Sequence, residues 1–239
     1  MLSEIDLFRI LFIDIETVPQ YGAFDLVSDD LKVLWDKKSS YFRPDEQDAS
    51  EVYSRAGIYA EFGKIICISA GILVKADNKN GLRIKSFYGD SEKEILKDFS
   101  DMLENYSKDK DIYLCAHNGK EFDFPYLSRR ILINGLKLPV LLDNAGRKPW
   151  EIKNLDTMEL WKFGDYKHYT SLDLLTSVFK IPSPKHDMDG SMVADVYWKD
   201  KNIRRIVEYC QNDVIAITQL LLRYKGEELI TGDNISVVE

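Results

Sequence analysis

FRILFIDI, residues 8–15, is almost wholly apolar, with isoleucine at 10, 13 and 15. The run is too short for a typical helix, so it predicts a strand buried on both faces. KIICISAGILV at 64–74 is β-branched and strand-like as well, and residues 83–88 would be its hairpin partner. Ser91 and Glu94 have the spacing of a capping box. Beyond them Ile95, Leu96, Phe99, Met102, Leu103 and Tyr106 follow helical spacing. DIYLCA at 111–116 reads as another buried strand. It is followed by a helix with Pro125 in its first turn, Leu127, Ile131 and Leu132 on one face, and Gly135 at its stop.

The second half is mostly helical. Short pieces near 156–161, 170–179 and 190–198 precede a long helix that Asn202 would cap. Its apolar positions Ile203, Ile206, Cys210, Val214, Ile217, Leu220 and Leu221 keep a 3.6-residue period. Strands first, then alternation, then helices: this is an α/β chain around a mixed sheet of five or six strands, expected as one domain over 1–239. A polar segment from about 20 to 61 interrupts the early strands, with helical hints at 30–35 and 45–59. It reads either as a lid or clamp beside the first strand or as inert elaboration.

The 239 residues hold no apolar run near the roughly 20 needed to span a bilayer, and the start lacks the features of a secretory signal. Cys67, Cys115 and Cys210 are odd in number and far apart, the pattern of buried, reduced thiols in a cytoplasmic protein. A net charge of −8 argues against a protein that coats long nucleic acid, which needs many cations on phosphate. It leaves room for an enzyme that grips a few nucleotides.

Three short patterns carry chemistry. Asp14-Ile15-Glu16 ends the first predicted strand, where residues two apart share a face, so both carboxylates project together. Held close and buried they repel, and a divalent cation is the natural remedy. NGKEFD, residues 118–123, follows the DIYLCA strand and sets Asp123 at a helix N-terminus, which favours an anion. Tyr209 and Asp213 lie four apart on the long helix, hence on one face. Each pattern is weak alone: Asp90-Ser91-Glu92 repeats the first, and Tyr21/Asp25, Tyr41/Asp45 and Tyr169/Asp173 repeat the third. Context separates them, because only Asp14/Glu16 ends a buried strand and only Tyr209/Asp213 lies in a strong amphipathic helix.

FIDIET, NGKEFDFPYL and YCQND, in this order, resemble the three exonuclease motifs of the DEDD (DnaQ-like) superfamily. The nearest likeness is to the proofreading domain of family-B DNA polymerases and to predicted stand-alone relatives. The resemblance runs from about 8 to 224 and takes in NLDTMELW and SLDLLTSVFKIPSPK; no polymerase module is expected in 239 residues. Glu208 stands where one branch has histidine, and Tyr209 where the other has tyrosine, so the tyrosine subtype is indicated. The resemblance implies an RNase H-like fold and 3′–5′ hydrolysis at single-stranded ends, DNA before RNA. It also implies two Mg²⁺ or Mn²⁺ ions on Asp14, Glu16, Asp123 and Asp213, with Tyr209 orienting the nucleophile. Thr17, Asn118 and Phe122 match positions that contact the last nucleotides.

Two rivals remain: an RNA exonuclease of the same superfamily, and a catalytically silent domain that binds nucleic acid or a partner. His117, His168 and His186 share no ligand spacing and read as loop or core residues. Lys185 and His186, in PSPKH, would meet substrate phosphate if that loop reaches it. Arg129, Arg130, Arg147 and Lys148 read as a solvated rim.

Overall fold

The computed structural model describes residues 2–76, 79–108, 110–165, 169–182 and 188–238. Lys185, His186 and His168 lie outside the described residues. Six strands form one sheet in the order β5-β4-β1-β2-β3-β6. They are β1 (Ile10–Pro19), β2 (Gly63–Ala76), β3 (Lys79–Tyr88), β4 (Tyr113–Ala116), β5 (Leu155–Asp156) and β6 (Ile235–Val238). β1, β2 and β3 run antiparallel in succession, while β4 joins β1, β5 joins β4 and β6 joins β3 in parallel. Flanking helices complete the α/β, RNase H-like architecture. β6 carried no signal in the sequence reading, since four residues with no alternation of burial are too few to show a period.

Alternation along β1 assigns its two faces. Leu11, Ile13 and Ile15 face α2 (Glu92–Ser107) and α3 (Asp123–Ile133), in a core shared with Ile95, Phe99, Leu127 and Ile131. Ile10 and Phe12 face the opposite way and meet Val214, Ile217 and Leu221 of α7 (Ile203–Tyr224). Gly71 of β2 makes that contact close: a Cβ there would lie 2.7 Å from Val214 Cγ1. A larger residue would lift α7 off the sheet. Asn202 caps α7 as expected, its Oδ1 accepting from Arg205 N at 3.2 Å. Among the described residues no helix is long and apolar enough to cross a membrane.

Several expectations are corrected. β1 runs on to Pro19, so Asp14 and Glu16 sit inside it rather than at its end. The antiparallel ladder with β2 carries the strand through its polar residues, where polarity alone suggested a stop. Residues 45–59 form turns and a single short 3₁₀ helix (Tyr53–Ile58), not a longer helix. Ser91 stands at the N-cap of α2 without a side-chain cap bond, so no capping box forms. Its neighbour Glu92 is turned inward instead, accepting from Ile65 N at 2.7 Å and from Arg130 Nε at 2.8 Å. Arg130 accordingly belongs to the interior and not to a rim, at 4% exposure.

The segment at 20–61 is a packed unit. α1 (Asp29–Ser39) and Tyr53–Ile58 close around Trp35, whose ring meets Phe42, Tyr53, Tyr59 and Phe62 edge-on. Three bonds fix it to the sheet and helices: Tyr126 Oη donates to Gly57 O at 2.7 Å, and Arg130 donates to Ala60 O and to Gln20 Oε1. Gly57 rests against Val18 and Pro19, at the far end of β1.

Candidate active site

The pairing of β1 creates an opening in the sheet. Its parallel ladder with β4 ends at Phe12 and Cys115, while the ladder with β2 continues to Pro19. Asp14, Glu16 and Thr17 thus project past the last residue of β4, at the carboxyl end of that strand. Such a position is where α/β folds place ligands. Asp14 shares its face with Ile10 and Phe12, the face that α7 covers. There Cys210 Sγ donates to Asp14 O at 3.4 Å, which brings Tyr209 and Asp213, on the same helix, to the two acids.

The chain leaving β4 turns back through residues 117–122 and starts α3 with Asp123. This loop is tightly specified. A Cβ on Gly119 would lie 2.3 Å from Ala116 Cβ. Asn118 holds φ = +61°, a conformation that strains a residue other than glycine. Asp156, buried at the N-cap of α4 (Thr157–Lys162), keeps it there. Its Oδ1 accepts from Asn118 N at 3.0 Å and Met158 N at 2.9 Å, and its Oδ2 from Lys120 N at 3.1 Å.

The four acids act on one another. Asp14 is raised well above its ordinary value by burial first, then by Asp213, Glu16 and Asp123. Burial, then Asp213, does the same to Glu16. Asp123 is pushed up to about 7, burial outweighing the backbone amides that favour its ionised form. Asp213 also rises to about 7 through burial, against the hydroxyl of Tyr209, with Asp173 adding to the rise. Tyr209 is raised by burial and by Asp213, Glu16 and Asp14, so it remains a phenol.

Asp14, Glu16 and Cys210 form a group whose ligand atoms lie within 4.8 Å of one another. Asp14 Oδ2 is buried with no hydrogen-bond partner among the described residues. A buried, unpartnered carboxylate oxygen among other carboxylates fits a cation. Cys210 is held as a thiol by burial, and its hydrogen bond is spent on Asp14 O. The available donors are therefore oxygens, which suit a hard divalent ion.

Thr17 acts on the Tyr126 hydroxyl through its side chain, favouring the ionised form, and the Tyr126 ring lies 5.3 Å from that of Phe122. Asn118 has a buried Oδ1 with no partner among the described residues. Asn118 and Phe122 belong to the loop that leads into Asp123, and Thr17 follows Glu16 on β1.

Sequence reasoning missed several others. Asp156 lay in a segment noted for its resemblance and as a short helical piece, with no role for its carboxylate. Tyr169 and Asp173 were set aside as a chance repeat, yet the Tyr169 hydroxyl feels Asp123 and Asp156, and Asp173 acts on Asp213. His117 ties the two regions together, Nδ1 to Thr157 Oγ1 and Nε2 to Thr170 O, each at 2.9 Å. The signal was present in the side-chain types; only the tertiary contacts give it meaning.

A mixed sheet opening onto converging acids defines an RNase H-like nuclease architecture. Residues 58–232, well over half the chain, match the family described as predicted 3′–5′ exonucleases related to the exonuclease domain of PolB. The chain belongs to that family. The match takes in Asp123, Tyr209 and Asp213 and begins after Asp14 and Glu16, which the fold brings to them. A DNA polymerase of Pyrococcus glycovorans is 24% identical over 143 residues, covering 54% of this chain and 18% of the polymerase. The chain thus spans less than a fifth of that relative.

Proposed function

We propose that this protein is a two-metal 3′–5′ exonuclease that releases nucleoside 5′-monophosphates from the 3′ ends of single-stranded DNA. The observation that carries the reading is the convergence of Asp14, Glu16, Asp123 and Asp213, buried or half-buried acids from three distant stretches of chain, with Asp14 Oδ2 buried and unpartnered among them. Folding pays for this repulsion, and a structural role would be served better by apolar residues. Membership of the PolB-related family supports the 3′–5′ direction, and the polymerase relative supports DNA.

Asp14, Glu16 and Asp213 would hold one Mg²⁺ or Mn²⁺, and Asp14 with Asp123 a second. When bound, such ions supply an activated water, charge neutralisation at the scissile phosphate and stabilisation of the leaving 3′ oxygen. The chain's own residues supply the rest. Tyr209, protonated throughout the neutral range, donates its hydroxyl proton to Asp213 and would orient the attacking water by accepting from it. Thr17 and Asn118 position the terminal nucleotide, and Phe122 stacks on its base without regard to sequence. Asp156 keeps Asn118 in its strained conformation.

The test is hydrolysis of a 5′-labelled oligonucleotide with Mg²⁺ or Mn²⁺, alongside EDTA controls and a matched RNA. Stepwise shortening from the 3′ end, faster on DNA and lost in Asp14→Ala, is the expected result. Intact substrate under both metals defeats the proposal, and faster loss of RNA moves it to the ribonuclease reading.

A further inference from the structure

Two adjoining cavities, of about 370 and 890 Å³, open along the outer side of α3 and the chain that follows it. Lys120, Ile152 and Asn154 line both, so they form one groove. It begins at the proposed site. Lys120 N and Asn118 N are bonded to the same Asp156 carboxylate, and Asp156 itself lines the larger cavity.

The lining is apolar, with rings at Phe124, Trp150 and Phe163, and Lys120 on it is paired with Glu159. Trp150 is 78% exposed, with Lys148 Nζ 5.3 Å from its ring, and Phe163 is 76% exposed at the other side. Arg129 and Lys153 stand along the rim. The two cavities together are lined by Lys120, Arg129 and Lys153 against Asp156 and Glu159, a local excess of one positive charge in a chain whose net charge is −8. Asn154 Nδ2 has no partner among the described residues, leaving a donor unspent where the cavities join. Exposed rings between cations match a flexible polyanion with stackable bases.

We infer that this groove carries the single strand upstream of the 3′ end, with Trp150 stacking on a base and Arg129, Lys148 and Lys153 meeting phosphates. The inference rests on the exonuclease reading, because the strand in the groove is the one whose end lies at Asn118.

The experiment compares 5′-fluorescent DNA of four and twelve nucleotides in wild type, Trp150→Ala and Lys153→Glu. Anisotropy without divalent metal reads affinity, cleavage of the four-mer with Mn²⁺ reads the site, and light scattering reads mass. Both side chains are exposed, so the variants are expected to melt with the wild type. The expected result is a loss of about ten-fold in twelve-mer affinity and a shallower salt dependence for Lys153→Glu. Unchanged twelve-mer affinity in both variants overturns the groove assignment. So does a change in mass with unchanged DNA affinity, which gives the groove to a second copy of the chain. If wild type cleaves neither oligonucleotide with Mg²⁺ or Mn²⁺, the exonuclease reading falls, and the affinity comparison then decides the groove by itself.

Discussion

Replacing Asp123 by Asn should make the metal-free protein more stable while removing its activity. Asp123 is 4% exposed, and burial lifts its pKa from 3.8 to about 7. A rise of about three, at ~1.36 kcal/mol for each, penalises the ionised carboxyl by roughly 4 kcal/mol above pH 7. The sign follows from proton binding. Between about 4 and 7 the folded state holds a proton that the unfolded state has released, so the contribution of Asp123 to stability is largest at acid pH and is lost as pH rises through 7. An amide carries no charge and escapes the penalty. Backbone amides that favour the carboxylate, including Ile15 N, are served less well by Asn, and Asp213 relaxes in concert. The net gain is therefore set at roughly 1–3 kcal/mol, or about 3–10 °C in melting temperature for a chain of this size. Divalent metal should act in the same direction on the wild type, by about 2.7 kcal/mol at a hundred-fold excess over Kd, and less on the variant. Calorimetric melts at pH 5 and pH 8, with EDTA or Mn²⁺, read all of this. A variant that melts lower than wild type in EDTA at pH 8, with the same pH dependence, refutes the account of the site as a cluster under electrostatic stress.

Tyr209→Phe should lower kcat by roughly ten- to a thousand-fold at little change in KM, since the hydroxyl is assigned to orientation and not to binding; a KM-only effect goes against that role. Arg130→Met leaves the buried Glu92 with its charge and strips Ala60 O of its donor; urea unfolding should show a loss of about 3–5 kcal/mol, and a loss under 1 kcal/mol contradicts the interior ion pair. His117 has its pKa lowered by burial, so the unfolded chain gains the proton first and stability falls as pH drops below about 6.5. His117→Asn should flatten that slope, measured as the urea midpoint between pH 7.5 and 5.

The long helix and most of the strands are legible in the sequence because their signals are local. The period of α7 and the β-branched runs of β1 and β2 declare which residues face inward. The same locality explains the failures. Ser91 satisfied a spacing rule, but the neighbouring Glu92 found Arg130 and Ile65 N across the fold, and no pattern of residues three apart foretells that. Residues 45–59 looked helical by composition, while the Trp35 cluster they pack against imposed a tighter, irregular path. Tyr169 and Asp173 repeated the spacing of Tyr209 and Asp213, and rejecting them on context lost two neighbours of the site.

Residue types along the chain were enough to announce acids on a buried strand, at a helix start and on an amphipathic helix, and hence the family. Their convergence belongs to the tertiary structure. β4 pairs with β1 only as far as Phe12, Gly71 lets α7 settle onto the sheet, and Asp156 holds the Asn118 loop in a strained turn. Burial, which raises the pKa values and leaves Asp14 Oδ2 without a partner, depends on what every other element excludes from the opening. A sequence names the charges; only the packed fold sets their distances and their dielectric surroundings.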